Sequence, residues 1–404
     1  MDQEHDYSDA DRAELLAWLG DTIAGLLSRY RALADSGRAE LSVTPWSHPI
    51  LPLLLDHQCA LDALPAAELP IQPYPGGAAR CDWHLAEART LFNEVFGHQP
   101  AGCWPSEGGL SADTVRKIAD HGFRWTASGA QMLFNSIGGA DGQPQLDRWK
   151  LPTDKDGRSG PLIFFRDDEL SDRIGFQYAR WNADEAVEDL VSRILQRRQD
   201  WRPASDRAEP VLAIIMDGEN AWEYYPENGQ AFLRALYSRL AAHPLVQLDT
   251  FTGTLEAGAA RTLPGMAAGS WVHGTFSTWI GDPAKNRAWE LLAEAKGAVD
   301  RALEGLPDAG TPPGWARRIL EQLAVCEASD WFWWLGPDNR LQDGPEFDRL
   351  FRLQLKALYR MLGLTPPSAL DWPLDAVAGA VMEEPPAGSG HAGAMRPAQE
   401  ADHA

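Results

Sequence analysis

Two acidic residues stand where chemistry is easiest to place. In "VLAIIMDGENAWEYYPENG", Asp217 follows six mainly apolar residues, which sets it at the C-terminal mouth of a strand, with Glu219 and Glu223 as neighbouring acids. In "GCWPSEGGLS", Glu107 is flanked by Trp104, Pro105 and two glycines that let a backbone approach a ligand closely. Two carboxylates delivered from separate strand ends suit glycoside hydrolysis: one attacks or stabilises the oxocarbenium-like centre while the other protonates the leaving oxygen. From position alone Asp217 can also be a helix N-cap or turn carboxylate, and Glu107 can cap the helix that opens near Ser111.

Other residue types widen the choice. His48 lies in "TPWSHPILPLL" and His273 in "SWVHGTFSTWIGD". With Glu40 and Asp217 they could ligate a metal, but no H-x-H or HExxH spacing favours one, and a lone histidine is more often a structural hydrogen-bonding group. "FFRDDELSDRIGF" places Arg166, Asp167, Asp168 and Asp172 directly after an apolar strand, suited to orienting a polar substrate or to a surface ion-pair cluster. "SDWFWWLGPDN" sets Trp331, Phe332, Trp333 and Trp334 in a row. They cannot all face one side of a helix, so core packing takes at least two, and the others reach an interface or a substrate groove.

The elements that must position these groups alternate. An amphipathic helix is expected over 8–36, ending on Gly37, then the short strand "AELSVTP", then helices near 82–96 and 111–122. The apolar strands "FRWTAS", "PLIFF" and "VLAIIM" follow, with a helix at 184–198 between the last two. This order predicts parallel βα units, in which active groups gather where strands end. From about residue 284 only helices are expected, so a barrel portion at 1–283 is followed by a helical region at 284–382 and a tail at 383–404 too poor in large apolar residues to pack.

Composition narrows the partners. The chain of 404 residues is 44% hydrophobic and 23% charged, and no apolar run reaches the roughly 20 residues that cross a bilayer. Its formal charge of −22 opposes phosphate backbones and anionic membrane surfaces, so nucleic acid and lipid are not expected partners. Four scattered cysteines and an acidic N-terminus without a secretory pattern fit the cytoplasm. The 17 tryptophans suit the C–H faces of sugar rings as well as a core.

Residues 8–367 resemble family 57 of the glycoside hydrolases, the amylase and amylopullulanase-like group. "GRAELSVTPWSHPILPLL", "GCWPSEGGLS", "IIMDGENAW" and "GSWVHGTFSTWIGDPAKNRAW" are similar to the family's second to fifth conserved regions. The resemblance implies an α/β fold, an incomplete (β/α)7 TIM-like barrel followed by an α-helical region. It implies Glu107 as nucleophile and Asp217 as acid/base of a retaining double displacement on α-glucans, with the two carboxyl groups about 5–5.5 Å apart. Glu40, His48, Trp104, Trp222, His273 and Trp279 match positions that line the family's substrate site, and Trp333 is a further candidate there. The family's first strand ends in His-Gln-Pro. Here His98-Gln99-Pro100 falls directly before the nucleophile turn instead, so the first barrel strands are expected to be absent.

Three functions follow as expectations. One is an α-glucan hydrolase or 4-α-glucanotransferase without cofactor or metal, taking glycogen, starch or maltodextrin. Another is a catalytically impaired glucan-binding protein, left so by the absent strand. The third is a metal-dependent hydrolase or deacetylase using His48, Asp217 and His273.

Overall fold

The computed structural model describes residues 5–153, 157, 159–203, 205–304, 313–337 and 344–375; the tail expected at 383–404 lies outside them. The chain opens with helices α1 (Asp9–Ala24) and α2 (Leu26–Asp35). Ser8 starts α1 through a reciprocal cap, its Oγ accepting from the Asp11 N–H and its own N–H donating to the Asp11 carboxylate at 2.8 Å. The single helix expected at 8–36 is interrupted at Gly25, whose missing side chain makes continuation the weaker choice there. Neither helix buries a residue, and Leu16 and Ile23 are two-thirds exposed.

Short α3 (Leu51–Leu55) and long α4 (Gly77–Phe96) lead to strand β1 (Gly102–Cys103). Helix α5 (Ala112–Asp120), capped by Ser111, precedes β2 (Trp125–Gly129), and α6 (Ala130–Ile137) follows it directly. Then come β3 (Trp149–Lys150), β4 (Leu162–Arg166), α7 (Asp168–Asp172), α8 (Ala183–Asp200), α9 (Gly218–Trp222) and α10 (Gln230–Ala242). After β5 (Arg261–Thr262) the described elements are helical: α11 (Pro283–Leu303), α12 (Gly314–Cys326), α13 (Ser329–Trp333), α14 (Gly344–Met361) and a 3-10 turn at Ser368–Asp371. None of the described helices is long and apolar enough to cross a membrane.

The five strands among the described residues form one sheet in the order β1-β2-β4-β3-β5. The β1–β2, β2–β4 and β3–β5 pairs are parallel, and β3 runs antiparallel to β4 at Trp149–Ile163. Single parallel bridges extend the parallel part at both sides, Val43 to Cys103 and Ala213 to Arg166. Segment 43, β1, β2, β4 and segment 213 therefore lie side by side in chain order, as stacked βα units require. The strands expected at "AELSVTP" and "VLAIIM" are thus reduced to one bridge each. The second still behaves as an extended segment: Leu212, Ile214 and Met216 pack on one core, Val211 and Ile215 on another.

The largest core runs from α3, α4 and β1 through α11, α12 and α14, so the change to helices near residue 284 is not a break in packing. Trp279 and Trp289 are fully buried in it, and Phe332 stacks on Trp289 with ring centroids 4.4 Å apart. Side chains of this size each contribute about 1.5–3 kcal/mol on burial. Of the four aromatics at 331–334, Phe332 enters the core, while Trp331 and Trp333 pack against its margin.

Candidate active site

Parallel strands send their C-terminal ends to one face of the sheet, and the turns after β1, β2, β4 and segment 213 are knitted together there. After β1 the chain turns sharply through Ser106–Gly108, and Glu107 adopts a left-handed backbone with φ 53°. An L-residue in that conformation costs roughly 1–2 kcal/mol. The strain is held by surrounding bonds: the Ser128 hydroxyl at the end of β2 donates to the Gly108 carbonyl at 2.6 Å, and the Ser270 hydroxyl donates to the Glu107 carbonyl at 2.7 Å. Leu110 and Gly269 exchange both backbone hydrogen bonds, which brings the 269–272 loop over the Glu107 turn.

That loop delivers Trp271. Its indole N–H donates to Glu107 Oε2 at 2.9 Å, and its ring meets Trp104 edge-on at 5.1 Å. Space for this approach exists because residue 129 is glycine. A Cβ there would sit 2.7 Å from the Trp271 Cα, inside any real contact distance.

Arg166, the last residue of β4, is 8% exposed and lies with its guanidinium 4.9 Å from the centre of the Trp271 ring. It donates to Asp168 Oδ1 at 2.8 Å, to the Ile215 carbonyl at 3.2 Å, and to the Asp172 carboxylate. Asp168 in turn accepts from the backbone N–H groups of Ala130 and Gln131 at the start of α6. Burial pushes the Asp168 carboxyl up, and Arg166 and the two N–H groups only partly oppose it. Two residues past Ile215, Asp217 is the N-cap residue of α9, half-buried at the end of segment 213. One chain of contacts thus runs from Glu107 through Trp271 and Arg166 to the strand end that carries Asp217.

The remaining candidates spread over the molecule. Trp104 belongs to this cluster, and exposed His273 lies two residues beyond Trp271. Trp222 ends α9 and packs on Tyr225, ring centroids 5.3 Å apart. Glu40 lies at the opposite end of the sheet. It accepts from the Trp125 indole at 2.7 Å, at the first residue of β2, and from the Thr252 N–H at 2.9 Å. His48 also has φ 60°, and its Nδ1 is 2.8 Å from the Ser329 hydroxyl at the start of α13. Trp279 is core, with Trp333 packed against it at 5.9 Å. Among the described residues no three His, Cys, Asp or Glu side chains are grouped to share a metal ion, so His48, Asp217 and His273 form no such set. Trp271 was not among the sequence candidates. Its signal was present, since it sits in the same "SWVHG" stretch as His273.

In an α/β fold with a parallel-rich sheet, acidic turns at the C-terminal strand ends stand where such folds gather their reacting groups. The chain belongs to glycosyl hydrolase family 57, whose model matches residues 13–261. No curated protein matches it. Among solved structures it is similar to a family-57 branching enzyme from the archaeon Thermococcus kodakaraensis, with TM-score 0.63 and 14% identity over 86% of this chain and 70% of that one. It is also similar to an α-amylase from Thermotoga maritima, with TM-score 0.57 and 13% identity over 87% and 72% of the two chains. A 4-α-glucanotransferase from Thermococcus litoralis follows, with TM-score 0.55 and 16% identity over 86% of this chain and 52% of that one. At such identities the likeness is one of fold.

Proposed function

We propose that the protein is a retaining α-glucan hydrolase or transglycosylase, with Glu107 as nucleophile and Asp217 as acid/base. The observation that carries this reading is the contact chain from Glu107 through Trp271 and Arg166 to the end of segment 213, which ties the two acidic turns into one face. Family membership and the α-glucan enzymes among the similar folds support the substrate class.

In the first step Glu107 attacks the anomeric carbon while Asp217 gives its proton to the leaving glycosidic oxygen. In the second, Asp217 takes a proton from water or from a sugar hydroxyl, which displaces Glu107 and restores the original anomeric configuration. Trp104 offers a ring face beside the reacting centre, suited to the apolar face of a glucose unit. Hydrolysis and transfer share these groups and differ only in the acceptor.

The test is turnover of maltooligosaccharide by wild type, Glu107→Gln and Asp217→Asn, with reducing ends and new linkages both measured. Both variants should lose activity by several orders of magnitude. Wild-type turnover in both would refute the assignment, and binding without turnover in the wild type would point to a glucan-binding protein instead.

A further inference from the structure

The proposed nucleophile sits on a left-handed turn and its carboxylate meets an indole N–H. Its backbone is strained and its side chain only half-buried, and a small rotation of that side chain displaces the carboxylate by more than the reaction tolerates. The indole N–H of Trp271, donating to Oε2 at 2.9 Å, restrains the direction of that carboxylate.

Trp271 is itself pinned from four sides. Its backbone N–H donates to the Glu107 carbonyl at 3.2 Å, Gly129 lies beneath it, Trp104 meets its edge, and Arg166 covers its face. Arg166 is the more informative neighbour because its own fork is committed elsewhere, to Asp168, Asp172 and the Ile215 carbonyl. A guanidinium over an indole draws electron density from the ring and makes the indole N–H a stronger donor. The same guanidinium holds the backbone two residues before Asp217.

Resting on the reading above, we propose that Trp271 and Arg166 are positioning residues for the two carboxylates: Trp271 aims Glu107, and Arg166 sets Trp271 and the Asp217 segment in register with each other. Neither residue is required to touch the reacting atoms for this role.

The experiment compares Trp271→Phe and Arg166→Lys with wild type and with Glu107→Gln. Phenylalanine keeps a ring under Arg166 and between its neighbours but has no N–H. Trp271→Phe should lower kcat about 100-fold, the cost of a misplaced reacting group. Its KM, and the affinity for maltooligosaccharide measured by calorimetry, should stay within about twofold, and its melting temperature should be close to wild type. A purely structural role would lower the melting temperature and spare kcat in the folded fraction. Arg166→Lys keeps the charge and loses the planar fork, and should lower kcat likewise without weakening binding. Wild-type kcat in Trp271→Phe, alongside an inactive Glu107→Gln, overturns the positioning role and leaves the proposed function standing. Wild-type kcat in Glu107→Gln overturns both.

Discussion

Glu327 and Arg80 meet at 2.7 Å with both side chains out of water, fastening α4 to the end of α12. Tyr74 donates its hydroxyl to the same carboxylate, and His84 Nε2 is 2.7 Å from it, so a carboxylate removed from solvent has a partner on every side. This knot is embedded among residues of the largest core, and its role is to keep α4 against the later helices.

Breaking it should be costly. Glu327→Gln leaves Arg80 as a buried charge without its counterion, and such losses run to about 3–5 kcal/mol. The pair Glu327→Gln with Arg80→Met should recover part of that loss, a coupling measured by urea unfolding of the two single variants and the double variant.

The knot also sets a response to acid. Burial by itself pushes the Glu327 carboxyl up, but Arg80 and then His84 outweigh it and hold the group at about 2, against an ordinary 4.5. Because the folded value is the lower one, the stabilisation is complete above pH 4.5 and is lost as pH falls from there towards 2. It amounts to about 3 kcal/mol. Glu327→Gln should flatten the pH dependence of the unfolding midpoint in that window.

His57 acts at milder acidity. It is 4% exposed, neither ring nitrogen has a hydrogen-bond partner, and it meets Trp289 edge-on. Burial, opposed weakly by Asp56, lowers its pKa from 6.5 to about 4. The folded protein keeps this ring neutral, so stability is full above pH 6.5 and declines as pH falls towards 4. His57→Leu should be neutral to stabilising at pH 8. It should be stabilising by about 3 kcal/mol relative to wild type near pH 4, read from thermal melts across the range.

What the sequence made legible was strongest where local chemistry and position agree. Glu107 and Asp217 announce themselves because an acid in a Gly- or Asn-rich turn beside apolar residues is conspicuous, and the described structure places both turns on one face of the sheet. Helices α4, α5 and α8 follow from periodicity and caps within a few residues. Harder to see were relationships carried by side chains far apart in the chain. Nothing around Glu40 reveals that Trp125 and Thr252 hold it at the far end of the sheet, and Trp271 looks like any of the other tryptophans until its N–H is seen on Glu107. The apolar run at 211–216 promised a full strand, yet only Ala213 bridges to a neighbour. Apolar alternation reports which faces are covered and not how many backbone partners a segment has.

Gly129 offers a separate check on the site. Gly129→Ala must push the new methyl against the Trp271 backbone at 2.7 Å, so the 269–272 loop has to move. Activity should fall at least tenfold, with thermal stability reduced by about 1–3 kcal/mol. Unchanged activity would mean that the loop's placement over Glu107 is not needed for turnover.

Replacing Glu107 separates its chemistry from its backbone. Glu107→Ala and Glu107→Gly both remove the carboxylate, but only alanine stays in an unfavourable left-handed conformation, so the glycine variant should be the more stable by about 1 kcal/mol. Paired unfolding curves test this directly.

The φ of 53° at Glu107 has an evolutionary reading. A chain selected for stability alone would drift to glycine or asparagine at this turn, since both relax the backbone and neither needs Trp271. With Glu107 as the proposed nucleophile, a glutamate at this turn works against the local backbone preference, and descendants released from the need for turnover should lose it early.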